Sequence, residues 1–228
     1  DAAMSLPFKT VWITGASSGI GRTLALHLAS QGCAVAASAR SADALDELAA
    51  EASPMPGSIH ALPLDVTGGP ACETAAKAAA EMLGGLDLVI LNAGTYLPVR
   101  AEDFDRVAAL KQVDVNLGGT INMFAAILPG FVARRRGHVA VVGSVAGYRG
   151  LPSSAAYGAT KAALINLCES LKFDLDRAGV KLQLINPGFV ETPLTDRNDF
   201  KMPFLMPVDK AVASLVRGLS SRRFEITF

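Results

Sequence analysis

Residues 10–21 read Thr-Val-Trp-Ile-Thr-Gly-Ala-Ser-Ser-Gly-Ile-Gly, and this stretch decides the fold. Its first five residues, Thr10–Thr14, form a β-prone run that ends at the first glycine. From Ile20 onward the apolar residues recur at helical spacing, with Leu24 and Leu28 on the same face. The stretch therefore predicts a strand, a glycine-rich turn and a helix in direct succession.

The same alternation of strand and helix continues along the chain. Strands are predicted at Thr10–Thr14, Cys33–Ala39, Ser58–Leu64, Leu86–Leu91, His138–Val142, Lys181–Ile185 and Phe224–Thr227. Helices are predicted at Ile20–Ser30, Ala42–Ala52, Ala71–Leu83, Asp103–Leu128, Ala155–Arg177 and Asp209–Leu219. Strands joined by helices of this length form right-handed crossovers in a parallel sheet. We therefore expect a single α/β domain over residues 1–228, a doubly wound (Rossmann) parallel seven-stranded sheet with helices on both faces.

The composition excludes several classes of protein. Of the 228 residues 50% are hydrophobic and 18% are charged, which is typical of a folded chain and not of a disordered one. Lys plus Arg number 21 and Asp plus Glu number 21, so no net charge would attract nucleic acid or an anionic membrane. No apolar stretch approaches the length of a membrane span. We expect a small-molecule partner, with no nucleic acid and no membrane as partners.

The cysteines and histidines predict neither a disulfide framework nor a metal site. Cys33, Cys72 and Cys168 have spacings that fit neither disulfides nor zinc, and the three histidines are isolated. Free thiols predict a reducing compartment, and the start of the chain lacks the order of a signal peptide, so we expect a cytoplasmic protein. Asp1–Ala3 precede Met4, a natural start, and are expected to be vector-derived.

The turn at residues 15–21 is suited to a pyrophosphate, because unpaired N–H groups at a helix N-terminus point at such a ligand. Its spacing, G-x-x-x-G-x-G, differs from the generic G-x-G-x-x-G fingerprint, so a glycine-rich turn without a ligand stays an alternative. At the end of the second strand Ala39 is followed by Arg40, with no carboxylate. A guanidinium there favours NADP(H) over NAD(H), because it pairs with the 2′-phosphate. The alternative is an exposed arginine that begins a loop.

Candidates for the chemistry lie around the start of the helix Ala155–Arg177. Tyr157 and Lys161 share one face, and an ammonium near a phenol lowers the pKa of that phenol. Ser144 follows a strand, where open α/β sheets place ligands, and its hydroxyl could hold a carbonyl oxygen. Asn116 is a buried amide that could anchor a helix irregularity or hold a proton-relay water. A plain helix surface and a turn serine are the alternatives.

Together these residues resemble the short-chain dehydrogenase/reductase family, in its common type with TGxxxGxG and YxxxK motifs. The matching residues follow the family's order over nearly the whole chain: TGASSGIG, Asp65-Val66, Asn92-Ala93-Gly94, Asn116, Ser144, Tyr157 with Lys161, and Asn186-Pro187-Gly188 with Thr192. The resemblance implies that Tyr157 is the general acid in carbonyl reduction. It implies that Lys161 lowers the pKa of Tyr157 and holds the nicotinamide ribose, that Ser144 orients the substrate carbonyl, and that Asn116 holds a water linked to the lysine.

The resemblance also implies the cofactor contacts and the assembly. Besides Tyr157 and Lys161, the cofactor-binding residues are expected to be Gly15, Ser17, Ser18, Gly19, Ile20, Arg40, Asp65, Val66, Asn92, Ala93, Gly94, Pro187, Gly188, Val190 and Thr192. Ser18 stands where some NADP-using relatives carry a second basic residue, so selectivity is expected to depend largely on Arg40. Relatives commonly pair through their two long helices, which implies a homodimer or homotetramer.

The segment Gly188–Pro207 is long for a loop, and we expect it to be a substrate lid. Its apolar residues are Phe189, Leu194, Phe200, Met202, Phe204, Leu205 and Met206. The residues expected to line a substrate pocket are Tyr96, Tyr148, Leu151, Phe189 and Leu194. Such a pocket favours an apolar substrate, whereas a cover packed on the core is the alternative.

These observations predict an NADP(H)-dependent oxidoreductase that transfers a hydride between nicotinamide and a ketone, an aldehyde or a secondary alcohol. Three alternatives stay open: a non-catalytic NADP-binding redox sensor, an NAD-dependent alcohol dehydrogenase, and an epimerase or dehydratase on the same scaffold. A redox sensor would not need a perturbed phenol. Relatives of the epimerase type usually have a longer chain and a different glycine spacing.

Overall fold

The computed structural model describes residues 6–198 and 202–228, and these fold around one sheet of seven strands. The strands are β1 (Thr10–Thr14), β2 (Ala34–Ser38), β3 (Ser58–Ala61), β4 (Leu88–Leu91), β5 (His138–Val142), β6 (Lys181–Asn186) and β7 (Glu225–Thr227). Their order across the sheet is β3-β2-β1-β4-β5-β6-β7, and all neighbours are parallel. The predicted doubly wound parallel sheet is confirmed. The expectations for Asp1–Ala3 and for Phe200 lie outside the described residues.

Helices cover both faces of this sheet. They are α1 (Gly19–Ser30), α2 (Ala42–Glu51), α3 (Gly69–Leu83), α4 (Arg106–Gln112), α5 (Gly119–Ala133), α6 (Ala155–Ala178) and α7 (Val208–Leu219). Helices α1, α2 and α7 contribute Leu24, Leu45 and Leu215 to the core on one face. Helices α3, α5 and α6 build the core on the other face.

The central strands are apolar on both sides because both sides are covered. In β1, Val11 and Ile13 pack into the core formed with α1, while Trp12 between them points to the opposite core. The buried Trp12 indole satisfies its N–H by donating to the Ser38 hydroxyl on β2 at 2.8 Å. Continuous apolar strands therefore follow from a sheet with two covered faces.

The helix predicted at Asp103–Leu128 has other bounds and an irregularity in the structure. It begins at Arg106, because the carboxylate of Asp105 accepts the N–H groups of Val107 and Ala108 at 2.8 and 3.1 Å and so caps the first turn. Between α4 and α5 the segment Val113–Gly118 forms a wider π-helical turn. This turn interrupts the regular helix at the position of Asn116.

The same helix continues past Pro129 to Ala133, beyond the predicted end. Proline removes one N–H donor from a helix, which weakens it locally. Ile127 and Phe131, on either side of the proline, are buried in the core. Tertiary packing of this kind outweighs the local loss, so the helix persists.

The continuous helix Arg106–Ala133 also corrects the expectation about membrane spans. It has 28 residues, and its most apolar window has a mean hydropathy of 1.4, so it is long and apolar enough to cross a membrane by length and composition alone. The core helix of a soluble protein passes the same test. Here Met123, Phe124, Ile127 and Phe131 pack against the sheet.

The topology predicts where a ligand binds. The strand order reverses at β1, which lies between β2 and β4. The helices that follow β1 and β4 leave on opposite faces, so a crevice opens at the carboxyl ends of these two strands.

Candidate active site

A cavity of about 380 Å³ lies at the carboxyl ends of the strands. Most of the predicted site residues line it together: Gly15, Ser17, Ser18, Gly19, Ile20, Arg40, Asp65, Val66, Asn92, Ala93, Gly94, Tyr96, Ser144, Leu151, Tyr157, Lys161, Pro187, Gly188, Phe189, Val190, Thr192 and Leu194. Asn116 and Tyr148 are not among its lining residues. Residues distant in the sequence therefore meet in one place.

The glycine turn after β1 is held against the end of β4. Gly15 has φ of +69°, and a side chain there would approach the Ala93 backbone to 2.8 Å. A side chain on Gly21 would come within 2.2 Å of the Gly15 carbonyl oxygen. Asn92 fastens the turn by donating from Nδ2 to the carbonyls of Thr14 and Gly15 at 3.2 and 3.0 Å. The glycines are thus required by close backbone approach.

The N-terminus of α1 opens toward the cavity with its first N–H groups available. Ser18 is the N-cap residue, yet its side chain makes no capping hydrogen bond. The helix dipole and these N–H groups favour an anion at this end. The turn therefore fits the pyrophosphate of a dinucleotide.

The part of the cavity next to the end of β2 carries two cations and one carboxylate. Arg40 lies directly after β2, and Lys111 approaches from α4. Hydrogen bonds from the N–H and hydroxyl of Thr67, helped by the charges of Arg40 and Lys111, lower the pKa of Asp65. Sequence reasoning missed Lys111, because an exposed lysine on a helix is most often a solvated surface residue.

Ser144, Tyr157 and Lys161 meet where β5 ends and α6 begins, as predicted. Burial raises the pKa of Tyr157 to about 12, Tyr96 adds to the rise, and a hydrogen bond with Ser144 opposes it. Burial lowers the pKa of Lys161 to about 8. The phenol is therefore protonated at neutral pH, with the Ser144 hydroxyl beside it.

The expectation that Lys161 lowers the pKa of Tyr157 is corrected by this geometry. The Lys161 ammonium lies 5.5 Å from the centroid of the Tyr157 ring and donates to the Val142 carbonyl at 2.9 Å. At that position it does not offset the loss of water around a phenolate. The net direction for Tyr157 is therefore upward.

The side chain of Asn116 links the π-helical turn Val113–Gly118 to neighbouring segments. Its Nδ2 donates to the Thr95 carbonyl at 2.9 Å and to the Thr160 hydroxyl at 3.1 Å, and its Oδ1 accepts the Thr95 N–H at 2.7 Å. Both amide hydrogens are therefore used by the protein. Of the two interpretations of Asn116, the structure favours an anchor between the π-helical turn, the loop after β4 and α6.

The prediction that Tyr148 lines the substrate pocket is wrong. Its hydroxyl contacts Glu225 of β7 and accepts a hydrogen bond from Asn186 at 3.0 Å. Asn186 in turn accepts the Ser144 N–H at 3.0 Å. The β7 carboxylate therefore attracts Tyr148 away from the cavity, a contact that sequence spacing does not reveal.

The predicted lid is only partly a cover. Phe189 and Leu194 line the cavity. The backbone N–H of Met206 donates to the carbonyl of Phe189 at 2.8 Å and so ties the two ends of the segment together. In contrast, Phe204 is 96% exposed. The apolar residues of the segment therefore do not all face the cavity.

Tyr96, Arg197 and Asn198 also line the cavity. Tyr96 packs edge-on against Tyr157, with 5.3 Å between ring centroids. Arg197, in a short 3₁₀ turn, donates from Nη1 to the Tyr96 carbonyl at 2.6 Å and so joins the lid to the loop after β4. Sequence reasoning missed Arg197 and Asn198, because polar residues in a loop carry no periodic signal.

Comparison with known proteins agrees with this architecture. A model of the family described as short chain dehydrogenase matches residues 9–202. An oxidoreductase of Myxococcus xanthus (strain DK1622) is 40% identical over 98% of this chain and 88% of its own. An oxidoreductase of Staphylococcus epidermidis (strain ATCC 12228 / FDA PCI 1200) is 35% identical over 84% of this chain and 82% of its own.

Two solved structures are similar over most of their length. A short-chain dehydrogenase from Sphingobium yanoikuyae in complex with NADPH has a TM-score of 0.85 and 28% identity, covering 96% of this chain and 87% of its own. A short-chain dehydrogenase from Streptomyces avermitilis has a TM-score of 0.85 and 26% identity, covering 96% and 88%. With a matching family model, a 40% identical relative and the Ser144, Tyr157 and Lys161 geometry, the chain belongs to the short-chain dehydrogenase family of NAD(P)-dependent oxidoreductases.

Proposed function

We propose that this oxidoreductase reduces ketones or aldehydes with NADPH, and oxidises the corresponding secondary alcohols in reverse. The observation that carries the proposal is the protonated Tyr157 phenol beside Ser144 in the cavity, with its pKa raised to about 12. A group with that pKa holds its proton at neutral pH and releases it to a stronger base. An alkoxide that forms next to it is such a base.

Each chain residue has a role in this reaction. When bound, the reduced nicotinamide supplies a hydride to the carbonyl carbon. The Ser144 hydroxyl donates a hydrogen bond to the carbonyl oxygen, and Tyr157 gives its proton to that oxygen as negative charge develops. Both contacts strengthen in the transition state and therefore accelerate the reaction. Lys161, on α6, lines the same cavity and donates to the Val142 carbonyl at the end of β5, and it would hold the ribose hydroxyls of a bound cofactor.

The preference for NADP(H) is supported by the charges at the adenosine end. No carboxylate ends β2, whereas Arg40 follows it and Lys111 faces the same part of the cavity. A guanidinium and an ammonium both attract a 2′-phosphate. The similar structure from Sphingobium yanoikuyae is described in complex with NADPH.

The catalytic proposal is tested with a panel of ketones and aldehydes, measured with NADPH and NADH for the wild-type chain and Tyr157→Phe. We expect the substitution to lower kcat by about 10²–10⁴-fold, because the proton donor is lost while the ring remains. Tyr148→Phe is the matched control, since Tyr148 lies outside the cavity. Full turnover by Tyr157→Phe would contradict the mechanism.

The cofactor preference is tested separately by Arg40→Ala. Loss of a charge-assisted contact predicts a fall in kcat/KM for NADPH of about 10–100-fold, with NADH changed little. Arg217→Ala, an exposed change on α7, serves as the control. Equal losses with both cofactors would refute the contact with the 2′-phosphate and favour the NAD-dependent alcohol dehydrogenase.

Cofactor binding without turnover on the whole panel would favour the redox sensor.

We further propose that the chain forms homodimers through α4, α5 and α6 and works in the cytoplasm. The surface of these helices exposes the apolar side chains of Val107, Leu110, Ile121 and Phe173. The cysteines Cys33, Cys72 and Cys168 are free thiols, which suits a reducing compartment. Light scattering of the wild type and of Val107→Glu tests the assembly, and a wild type that is monomeric at micromolar concentration would contradict it.

A further inference from the structure

Tyr96 carries a hydroxyl that has no partner. The residue is 3% exposed, and among the residues that the structure describes its Oη is the one buried side-chain polar atom without a hydrogen bond. Buried hydroxyls are almost always paired, because removal from water without a new partner costs free energy. An unpaired group in a native cavity therefore points to a ligand that pairs with it.

The Tyr96 side chain lies beside the groups that carry the proposed reaction. Tyr96 lines the same cavity as Ser144 and Tyr157. Its ring meets the Tyr157 ring at 71°, with 5.3 Å between centroids. A group that contacts the Tyr157 and Ser144 hydroxyls is therefore a near neighbour of Tyr96.

The backbone around Tyr96 is fastened on both sides, so the side chain is held in place. Thr95 is bound through its N–H and carbonyl to Asn116, at 2.7 and 2.9 Å. The N–H of Leu97 donates to Gln112 at 3.1 Å, and Arg197 binds the Tyr96 carbonyl at 2.6 Å. These contacts preorganise the ring.

The ring alone would suffice for packing. A phenylalanine at position 96 would make the same edge contact with Tyr157 and would leave no polar atom unpaired. The hydroxyl therefore has a use that packing does not explain.

We propose that Tyr96 Oη donates a hydrogen bond to a second oxygen of the substrate, next to the reacting carbonyl. The inference rests on the proposed carbonyl reduction. It sets the substrate class as carbonyl compounds with a carbonyl, ester or hydroxyl oxygen one or two carbons from the reacting group. Simple hydrocarbon ketones leave the Tyr96 hydroxyl unpaired and are the poorer substrates.

The test compares Tyr96→Phe with the wild type on matched substrates, cyclohexane-1,2-dione and cyclohexanone with NADPH. For each substrate, kcat/KM of Tyr96→Phe is divided by kcat/KM of the wild type. The difference in intrinsic reactivity between the dione and the ketone therefore cancels. We expect Tyr96→Phe to lower kcat/KM for the dione by about 10-fold or more and to change that for cyclohexanone little. Tyr148→Phe should leave the ratio of the two values unchanged, and a cooperative melting transition should show that each variant is folded.

A second readout does not depend on turnover. Pentane-2,4-dione should raise the melting temperature of the NADPH-bound wild type more than pentan-2-one does, and this difference should disappear in Tyr96→Phe. Similar changes for dione and ketone in both readouts would assign the hydroxyl to packing or to a bound water and overturn the inference, while leaving carbonyl reduction intact. A wild type that reduces none of the ketones with either cofactor would instead overturn the proposed function, and the melting shifts would still decide on Tyr96.

Discussion

Strands β5 and β6 carry a buried polar cluster near each end, and the two clusters differ in how they satisfy their hydrogen bonds. Near the amino ends, His138 Nε2 binds Gln183 Oε1 at 2.8 Å, and Gln183 Nε2 donates to the carbonyls of Gly218 and Arg223 at 3.0 and 2.7 Å. Near the carboxyl ends, Asn186 holds the Ser144 N–H beside the cavity.

A group with a strongly shifted pKa belongs to or lies beside each cluster, but only the cluster near the carboxyl ends borders the cavity. Burial, with the charge of Lys181 adding to it, lowers the pKa of His138 to about 3, and burial raises that of Tyr157 to about 12. None of His138, Lys181 and Gln183 lines the cavity. A perturbed pKa therefore reports burial, and it indicates chemistry when a cavity and an available donor accompany it.

The largest expected effect is on the stability of the fold at acid pH, and it comes from the cluster of His138 and Gln183 near the amino ends of the two strands. The pKa of His138 falls from 6.5 to about 3 on folding, so the unfolded chain binds more protons between these values. The free energy of unfolding should therefore decrease as the pH falls from about 6.5 toward 3, by about 1.4 kcal/mol per pH unit from this group.

The non-titrating His138→Gln keeps an N–H donor for Gln183 and tests this. Urea denaturation at pH 7, 5.5 and 4 should show that the free energy of unfolding falls less with decreasing pH in the variant than in the wild type. Turnover at pH 7 should be unchanged. Parallel pH curves for the two proteins would refute the assignment.

The next prediction compares the loss of one hydrogen-bonding side chain from each cluster. Ser144→Ala removes a donor to the developing alkoxide and should lower kcat by about 10²–10³-fold with little change in melting temperature. Gln183→Leu is its counterpart, because it leaves His138 and several carbonyls unpaired and should cost about 1–3 kcal/mol of stability without lowering kcat. Steady-state kinetics and thermal melts on both variants check the contrast, and a loss of kcat in Gln183→Leu would break it.

Two glycines that flank β5 offer a smaller, matched comparison. A Cβ on Gly143 would lie 2.2 Å from Asn186 Oδ1, and one on Gly137, which has φ of +153°, would lie 2.4 Å from the Phe131 ring. Each substitution to alanine should cost about 1–3 kcal/mol of stability. Gly143→Ala should also displace Ser144 and lower kcat about 100-fold.

Gly137→Ala should keep normal turnover at temperatures where it is folded. The measurement is kcat at 15 °C together with the melting temperature. Equal kcat values for the two alanine variants would show that the hold of Asn186 on Ser144 has no catalytic role.

The smallest effect, taken per pH unit, is the pH dependence of the rate in each direction. Oxidation of an alcohol needs the Tyr157 phenolate, and because its pKa is raised to about 12, kcat/KM for cyclohexanol should rise about tenfold per pH unit from pH 7 to 9. Reduction uses the protonated phenol and should show no inflection from Tyr157 in this range. An inflection near pH 8 would report Lys161, whose pKa is lowered to about 8, and a flat oxidation profile would contradict the role of Tyr157.

Much of the fold was predictable because its signals are local. Apolar runs and helical spacing predicted the alternation of strands and helices, and the carboxyl ends of parallel strands brought Gly15, Asn92, Ser144 and Pro187 to one edge. The π-helical turn at Val113–Gly118 was not predictable, because it depends on bonds from Asn116 to Thr95 and Thr160, the latter 44 residues away.

The sequence by itself determined the sheet, the glycine turn and the pairing of Tyr157 with Lys161, because these depend on residue type and on spacing within one or two elements. Tertiary structure alone decided the direction of the Tyr157 pKa, the turn of Tyr148 toward Glu225 and the unpaired hydroxyl of Tyr96. Each of these depends on burial and on partners from distant segments. Desolvation and hydrogen bonding act through space, and the order of residues along the chain does not specify them.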